Sequence, residues 1–233
     1  MDSIRRFIGL LEAGPTDCPC VFNPWRDHDE RDLAPRRDAP RKRRDNMAAY
    51  LEMRTSSARA MLLGEAPSHR GCRFSGIAFC SEVELRQKAD LVARRPLALT
   101  SAASASKPMR ERSAAVVWDE LDRAGCAHRV VLWNAFPWHP YRDAERASAS
   151  DGPCGPSSNR KPRRTEVEQG RDALAAMRAC FTHELRIYAI GKVAEEALAR
   201  WAEAPCAGYI RHPAQGGESR FREGFRSEVL AHL

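Results

Sequence analysis

The chain has 233 residues, with 38 Lys and Arg against 31 Asp and Glu and a formal net charge of +7. That length buries a full core, most simply as a single domain over 1–233, and no apolar run is long enough to span a bilayer, which sets a membrane-embedded role aside. The basic balance, with a pI near 9.2, favours a polyanionic partner, although a general bias toward Arg and Ala weakens that inference.

Residues 1–12 place Ile4, Phe7, Ile8 and Leu11 at helical spacing, with Arg5 and Arg6 between them. This is the pattern of an amphipathic helix; it lacks the apolar block and cleavage site of a signal peptide, so a cytoplasmic protein is expected. The eight cysteines, at 18, 20, 72, 80, 126, 154, 180 and 206, are then expected to stay reduced. Cys18-Pro19-Cys20 is C-x-C, not the C-x-x-C spacing of a metal site, and no metal is expected.

Residues 17–25 hold two prolines with Phe22, Asn23 and Trp25, a loop that packs. Residues 26–45 are charged and end in Arg41-Lys42-Arg43-Arg44; they read as a solvated, mobile run or the lead into a helix from Asn46 that carries Met47, Tyr50, Leu51 and Met53. The apolar run 60–63 is stopped by Gly64 and followed by Glu65, Ala66 and Pro67. That predicts a buried strand ending in a sharp turn, with a carboxylate at its carboxyl end. The long loop to Phe79 contains Gly71, Phe74 and Gly76, and loops of that length inside a domain tend to carry function.

Ser81 opens a helix to about residue 92, and 97–108 is an Ala/Ser-rich surface stretch. Residues 111–124 show Val116, Val117 and Leu121 on one helical face. A second strand over 128–133 ends in Asn134 and the proline turn Phe136-Pro137-Trp138-His139-Pro140, where His139 reads as a loop hydrogen-bond donor. Residues 143–158 are Gly/Pro/Ser-rich and predict a surface loop, and Thr165 is the expected N-cap of a helix carrying Leu174, Met177 and Phe181. A third strand, 185–190, is followed at once by Gly191-Lys192 and a helix through Trp201. A short fourth strand, 208–210, runs into Arg211-His212-Pro213, and 221–230 form a last helix.

Strands alternating with helices predict an α/β fold: a three-layer α/β/α sandwich around a central, mainly parallel four-stranded sheet. Right-handed crossovers bring all the strand carboxyl ends to one edge, where ligands sit in such sheets. Glu65, Asn134, Gly191-Lys192 and His212 would meet there. An amide can read a planar base edge, an imidazole can support negative charge on a leaving group, and a carboxylate can position water or balance a cation. Each has a plainer reading taken alone: a turn Asn, a capping His, a core Phe at 79, a tight strand-to-helix turn at Gly191-Lys192.

The ordered set is more specific. Gly64-Glu65-Ala66-Pro67, with Gly76-Ile77-Ala78-Phe79 downstream, resembles the first motif of the uracil-DNA glycosylase superfamily, in the bacterial and archaeal branch that carries GEAPG and then G-x-P-F. Asn134, Asn159-Arg160-x-Pro162 with Glu166, Gly191-Lys192-x-Ala194 and His212-Pro213 follow in that branch's order, so the resemblance covers about 61–213. It implies a monofunctional base-excision-repair hydrolase that flips uracil out of DNA, cleaves its N-glycosidic bond and leaves an abasic site, acting as a monomer. It implies that Phe79 stacks on the base, Asn134 bonds its edge, and Gly64 and Ala66 line its slot. His212 would stabilise the departing anion at O2, and Glu65 would orient water and offset the sugar cation. Arg160, Arg163 and Arg211 would hold phosphates, and Gln215 lies in the 214–219 loop that would press into the duplex.

Some positions depart from the branch. Two of the four iron–sulfur cysteines would fall near Phe136-Pro137 and at Gly170, where this chain has none, so no cluster is expected. Ser68 stands for the last motif glycine and Ala78 for the proline. A catalytically silent member that binds DNA or a nucleobase is the second reading. A small-molecule hydrolase is weaker, because no G-x-S-x-G elbow is present.

Overall fold

The structure, a computed structural model, describes residues 2–15, 17–103, 106–145 and 154–233. Residues 104–105 and 146–153, within the two expected surface loops, lie outside the described residues.

Helix α1 (Asp2–Ala13) buries Ile4, Phe7 and Leu11, the positions its spacing selects. The loop after it packs: Asn23 and Trp25 are fully buried, and the Asn23 amide donates to the Leu11 carbonyl at 2.8 Å. Within this loop a two-residue strand, β1 (Val21–Phe22), forms. Helix α2 (Ala39–Glu52) starts well before Asn46, with Pro40 in its first turn. The charge run therefore divides. Arg43 is wholly buried and pairs with Asp32, whereas Arg41 stays outside with Asp45. A buried guanidinium must be paired, and Asp32, drawn in by Arg43, orders a segment whose composition reads as solvated.

Strand β2 (Ala60–Gly64) is buried at every residue. After the short helix α3 (Cys72–Ser75), the helix expected over 81–92 breaks at Lys88 into α4 (Glu82–Gln87) and α5 (Ala89–Val92). The Lys88 ammonium reaches Asp119 and Asp122 of α6 (Arg112–Arg123) at 3.0 and 2.9 Å. Thr100 and Ser101 are buried anchors of the Ala/Ser stretch: their amides donate to Glu82 Oε1 at 2.9 and 2.8 Å.

The remaining elements are β3 (Val130–Asn134), β4 (His139–Pro140), α7 (Arg164–Arg178), β5 (Arg186–Ile190), α8 (Lys192–Arg200), β6 (Cys206–Ile210) and α9 (Glu218–Gly224), the last continued by a π-helical turn, Phe225–Val229. Thr165 is not the cap of α7. The cap lies two residues earlier, at Arg163, and Glu166 accepts from the Arg163 amide at 2.7 Å, closing the first turn. No helix among the described residues is long and apolar enough to cross a membrane.

The main sheet runs β3-β2-β5-β6, all parallel, with helices around it, the expected α/β sandwich. β1 and β4 form a separate antiparallel pair, Phe22 opposite His139. In the main sheet Gly64 lies opposite Asn134. The ladder continues past the strand ends: Ala135 N donates to Gly64 O at 2.8 Å and Phe136 N to Glu65 O at 3.0 Å. Arg54 fastens the lower side. It is fully buried without a carboxylate, and its guanidinium donates to the carbonyls of Tyr50, Leu91, Val92, Ala127 and Val130.

Candidate active site

The edge where β2, β3, β5 and β6 end opens into a cavity of about 490 Å³. Glu65, Ala66, Pro67 and Ser68 line it from β2, and Gly191 and Lys192 from β5. Arg211, His212 and Gln215 line it from β6, with Arg160 and Lys161 from the approach to α7 and Glu111 from the start of α6.

Glu65 is half-buried and makes no side-chain hydrogen bond or ion pair with the described residues. Burial raises its carboxyl above the ordinary carboxylate range, and the nearby charge of Lys161 works against that rise. Asn134 is 3% exposed, and its amide likewise has no hydrogen-bond partner among the described residues.

Phe79 is aimed by its backbone. Gly76, at φ +77°, ends α3, and Phe79 itself sits in the left-handed region at φ +49°. Trp118 Nε1 donates to the Phe79 carbonyl at 2.8 Å and holds that conformation. A non-glycine residue there stores about 1–3 kcal/mol, a strain concentrated at functional sites. The ring lies over Gly64, so a Cβ at 64 would run into it and would also stand 3.0 Å from Asn134 Oδ1. Phe79 also lies 6.0 Å, centroid to centroid, from the ring of His212, tilted by 38°.

His212 follows β6. Its Nδ1 accepts from the Ala214 amide at 3.1 Å, which assigns the proton of the neutral ring to Nε2. Burial, helped by the Arg211 charge, lowers its pKa to about 4, so the ring is neutral near pH 7. Gly191, at φ +82°, brings its Cα close under the ring: a Cβ there would meet His212 Cβ at 3.3 Å.

Of the residues expected from the sequence, Glu65, Ala66, Arg160, Arg211, His212 and Gln215 stand on the cavity wall. Gly64, Phe79 and Asn134 are buried next to it, joined through Glu65 and the Phe79–His212 contact. Arg163 is exposed at the start of α7, away from that wall. Arg160 is held by Glu166 at 2.6 and 2.7 Å in a two-pronged pair, with a further bond to Tyr141 O at 3.0 Å. Arg211 has no ion-pair partner among the described residues. Gln215 is exposed with φ +53°.

Sequence reasoning missed Ser68, Glu111 and Lys161. The signal for Glu111 was topological: α6 leads into β3, so the residue that caps its start must sit at the carboxyl edge of the sheet. His139 is fully buried between the motif loop and the 154–158 turn, its Nδ1 2.9 Å from Pro67 O and its Nε2 3.1 Å from Pro156 O, and the single N–H of the neutral ring donates to one of these two carbonyls.

Gly170, where the resemblance would place one cluster cysteine, packs closely against the chain after β3. A Cβ at Gly170 would collide with the Ala135 carbonyl oxygen, and among the described residues no group of three or more His, Cys, Asp or Glu is placed to hold a metal.

The family model described as the Uracil DNA glycosylase superfamily matches residues 52–231. Among solved structures the fold is similar to that of SMUG2 from Pedobacter heparinus, with a TM-score of 0.65 at 13% identity over 98% of this chain and 97% of that one. No curated protein matches the sequence.

Proposed function

The chain belongs to the uracil-DNA glycosylase superfamily, and from that premise we propose that it is a monofunctional glycosylase that removes uracil from DNA by hydrolysing the N-glycosidic bond. The observation that carries this reading is a set of unanswered polar groups: the Glu65 carboxylate, the Asn134 amide and His212 Nε2 all lack a partner among the described residues at one edge of the sheet. Buried polar groups are normally hydrogen-bonded, so groups left open in this way are reserved for a ligand.

The target nucleotide leaves the stack, which costs least at a mismatched or damaged base, and its base enters beside Phe79. Asn134 both donates and accepts, matching the imide edge of uracil. As the C1′–N1 bond breaks, its electron pair stays with uracil and charge grows at O2. Neutral His212 meets that charge as a donor through Nε2–H. Because the ring is uncharged near pH 7, it stabilises the anion without having to surrender a proton. Glu65 faces the sugar side, orients the water whose oxygen joins C1′, accepts its proton and offsets the cationic sugar. Lys161 supports the ionised form of Glu65. Lys161, Lys192, Arg211 and the exposed Arg163 supply positive charge for phosphates, and Gln215 sits at the tip of the loop that enters the duplex. The protein acts as a cytoplasmic monomer, and no step runs through a metal.

A uracil-containing oligonucleotide treated with the protein and then with alkali tests the proposal. Cleavage at the uracil supports it. Tight binding without cleavage supports the silent, DNA-binding reading instead.

A further inference from the structure

The cavity has a second acid that the mechanism above does not use. Glu111 precedes the first residue of α6 and stands on the same wall as Ser68. Its carboxyl is buried and has no ion-pair partner among the described residues. One carboxyl oxygen occupies the space a Cβ on Gly71 would need, and Ser68 Oγ lies 3.1 Å from that same point. Ser68 Oγ is itself buried without a hydrogen bond: Glu111 is close enough to act on it, but the geometry falls short of one.

The loop that carries Glu65 is tethered elsewhere. His139 Nδ1 lies 2.9 Å from the Pro67 carbonyl oxygen, and Asn159 Oδ1 accepts from the His69 amide at 2.8 Å. Ser68, between those tethers, and Gly71, just beyond them, rest on Glu111.

We propose, on the premise of the glycosylase reading, that Glu111 is a positioning residue of this site: seated over Gly71 beside Ser68, its carboxyl fixes the loop that presents Glu65.

The surroundings hold that carboxyl back from ionising. Burial first, then the charge of Glu84 on α4, push the Glu111 carboxyl up to about 7, against the lowering effect of Ser68. The other titratable groups around it are the Cys72 and Cys80 thiols, with Glu65, Lys161, Arg211 and His212 lining the cavity. Two acids in one site whose environments set them apart divide the labour. Glu65 has Lys161 near to favour its charge, whereas Glu111, about half protonated near pH 7, adds less negative charge to a crevice that must receive a polyanion. A protonated carboxyl can donate to Ser68 Oγ, while an ionised one can only accept from it.

The test is single-turnover uracil release by the full chain between about pH 5 and 9, for wild type, Glu111→Gln, Glu111→Ala and Gly71→Ala. Wild type should slow as pH rises through about 7. Glu111→Ala and Gly71→Ala should each slow release by about tenfold to a hundredfold, the scale of a misplaced catalytic group. Glu111→Gln should recover most of that loss and abolish the slowing at high pH; being isosteric, it keeps the test intact even if the Ala variant fails to fold. A Gln variant with the wild-type pH profile, or an Ala variant as fast as wild type, overturns the role of Glu111 alone. A wild-type protein that releases no uracil overturns the glycosylase reading, and this role with it.

Discussion

The ring of Phe79 closes over Gly64, directly beside the Asn134 amide that lies across the β2–β3 ladder from that glycine. A methyl group at 64 has no free volume, because the ring is held by the left-handed backbone at 79 and by the Trp118 bond. Gly64→Ala should destabilise the fold by about 1–3 kcal/mol, the scale of overpacking. Since the displaced ring borders the base slot, uracil release should fall further than stability alone explains. Urea denaturation set beside single-turnover rates separates the two effects.

Acid acts on His212. Near pH 7 its Nδ1 accepts the Ala214 hydrogen; once protonated, the ring can no longer accept it. With a pKa lowered to about 4, the ring should remain a neutral donor throughout the mildly acidic range. Loss of uracil release from His212 protonation should therefore appear only as pH falls toward about 4, not near the ordinary 6.5. A histidine-dependent acid limb close to 6.5 would show that Nδ1 is not held as described. His212→Asn identifies which limb belongs to this residue.

Stability should share an acid dependence through His139, which is fully buried and whose pKa is lowered to about 4, chiefly by burial. Between about 4 and 6.5 the unfolded chain binds a proton that the folded chain refuses, so stability is complete above 6.5 and is lost as pH falls through that window. The full swing is about 3 kcal/mol at about 1.4 kcal/mol per pH unit. Comparing urea midpoints at neutral pH and near the bottom of that window checks it. A His139→Asn variant should be less stable at neutral pH and show a shallower decline.

Two arginines on the cavity wall should behave differently. Arg160 is clasped by Glu166, and removing it leaves that buried carboxylate with the Arg163 amide as its remaining donor, so Arg160→Ala should destabilise by about 1–3 kcal/mol. Arg211 has no ion-pair partner among the described residues, and Arg211→Ala should leave the melting temperature nearly unchanged. It should weaken DNA binding evenly across sequences and reduce the slope of log affinity against log salt by about one. Fluorescence anisotropy at several salt concentrations, beside thermal melts, tells the two roles apart.

The sheet was legible in the chain because β2, β3 and β5 are short, largely buried runs closed by Gly or Asn and the half-exposed β6 runs into a proline turn, and the order of those closures places Glu65, Asn134 and His212 at one edge. What remained hidden depends on contacts between distant residues. Arg43 and Arg54 are cationic by composition, yet both lie in the core, one because Asp32 accompanies it and the other because five carbonyls receive it. The β1–β4 pair has only two residues a side and no alternation to read. Lys88 breaks a helix whose spacing favours continuity because its ammonium is drawn to two aspartates on α6. Glu111 reads as an ordinary first-turn acid, and only the approach of Gly71 and Ser68 reveals a carboxyl buried in the cavity wall.

The most direct test is alkali cleavage of a labelled oligonucleotide with a single uracil, opposite G, opposite A or unpaired, by wild type and by Glu65→Ala, Asn134→Ala and His212→Ala. Wild type should give uracil-dependent abasic sites, with each variant slowed by about a hundredfold or more, the scale of losing one transition-state donor or acid–base group. Equal rates in all four proteins would contradict the site, and no product from wild type at enzyme excess would contradict the glycosylase itself.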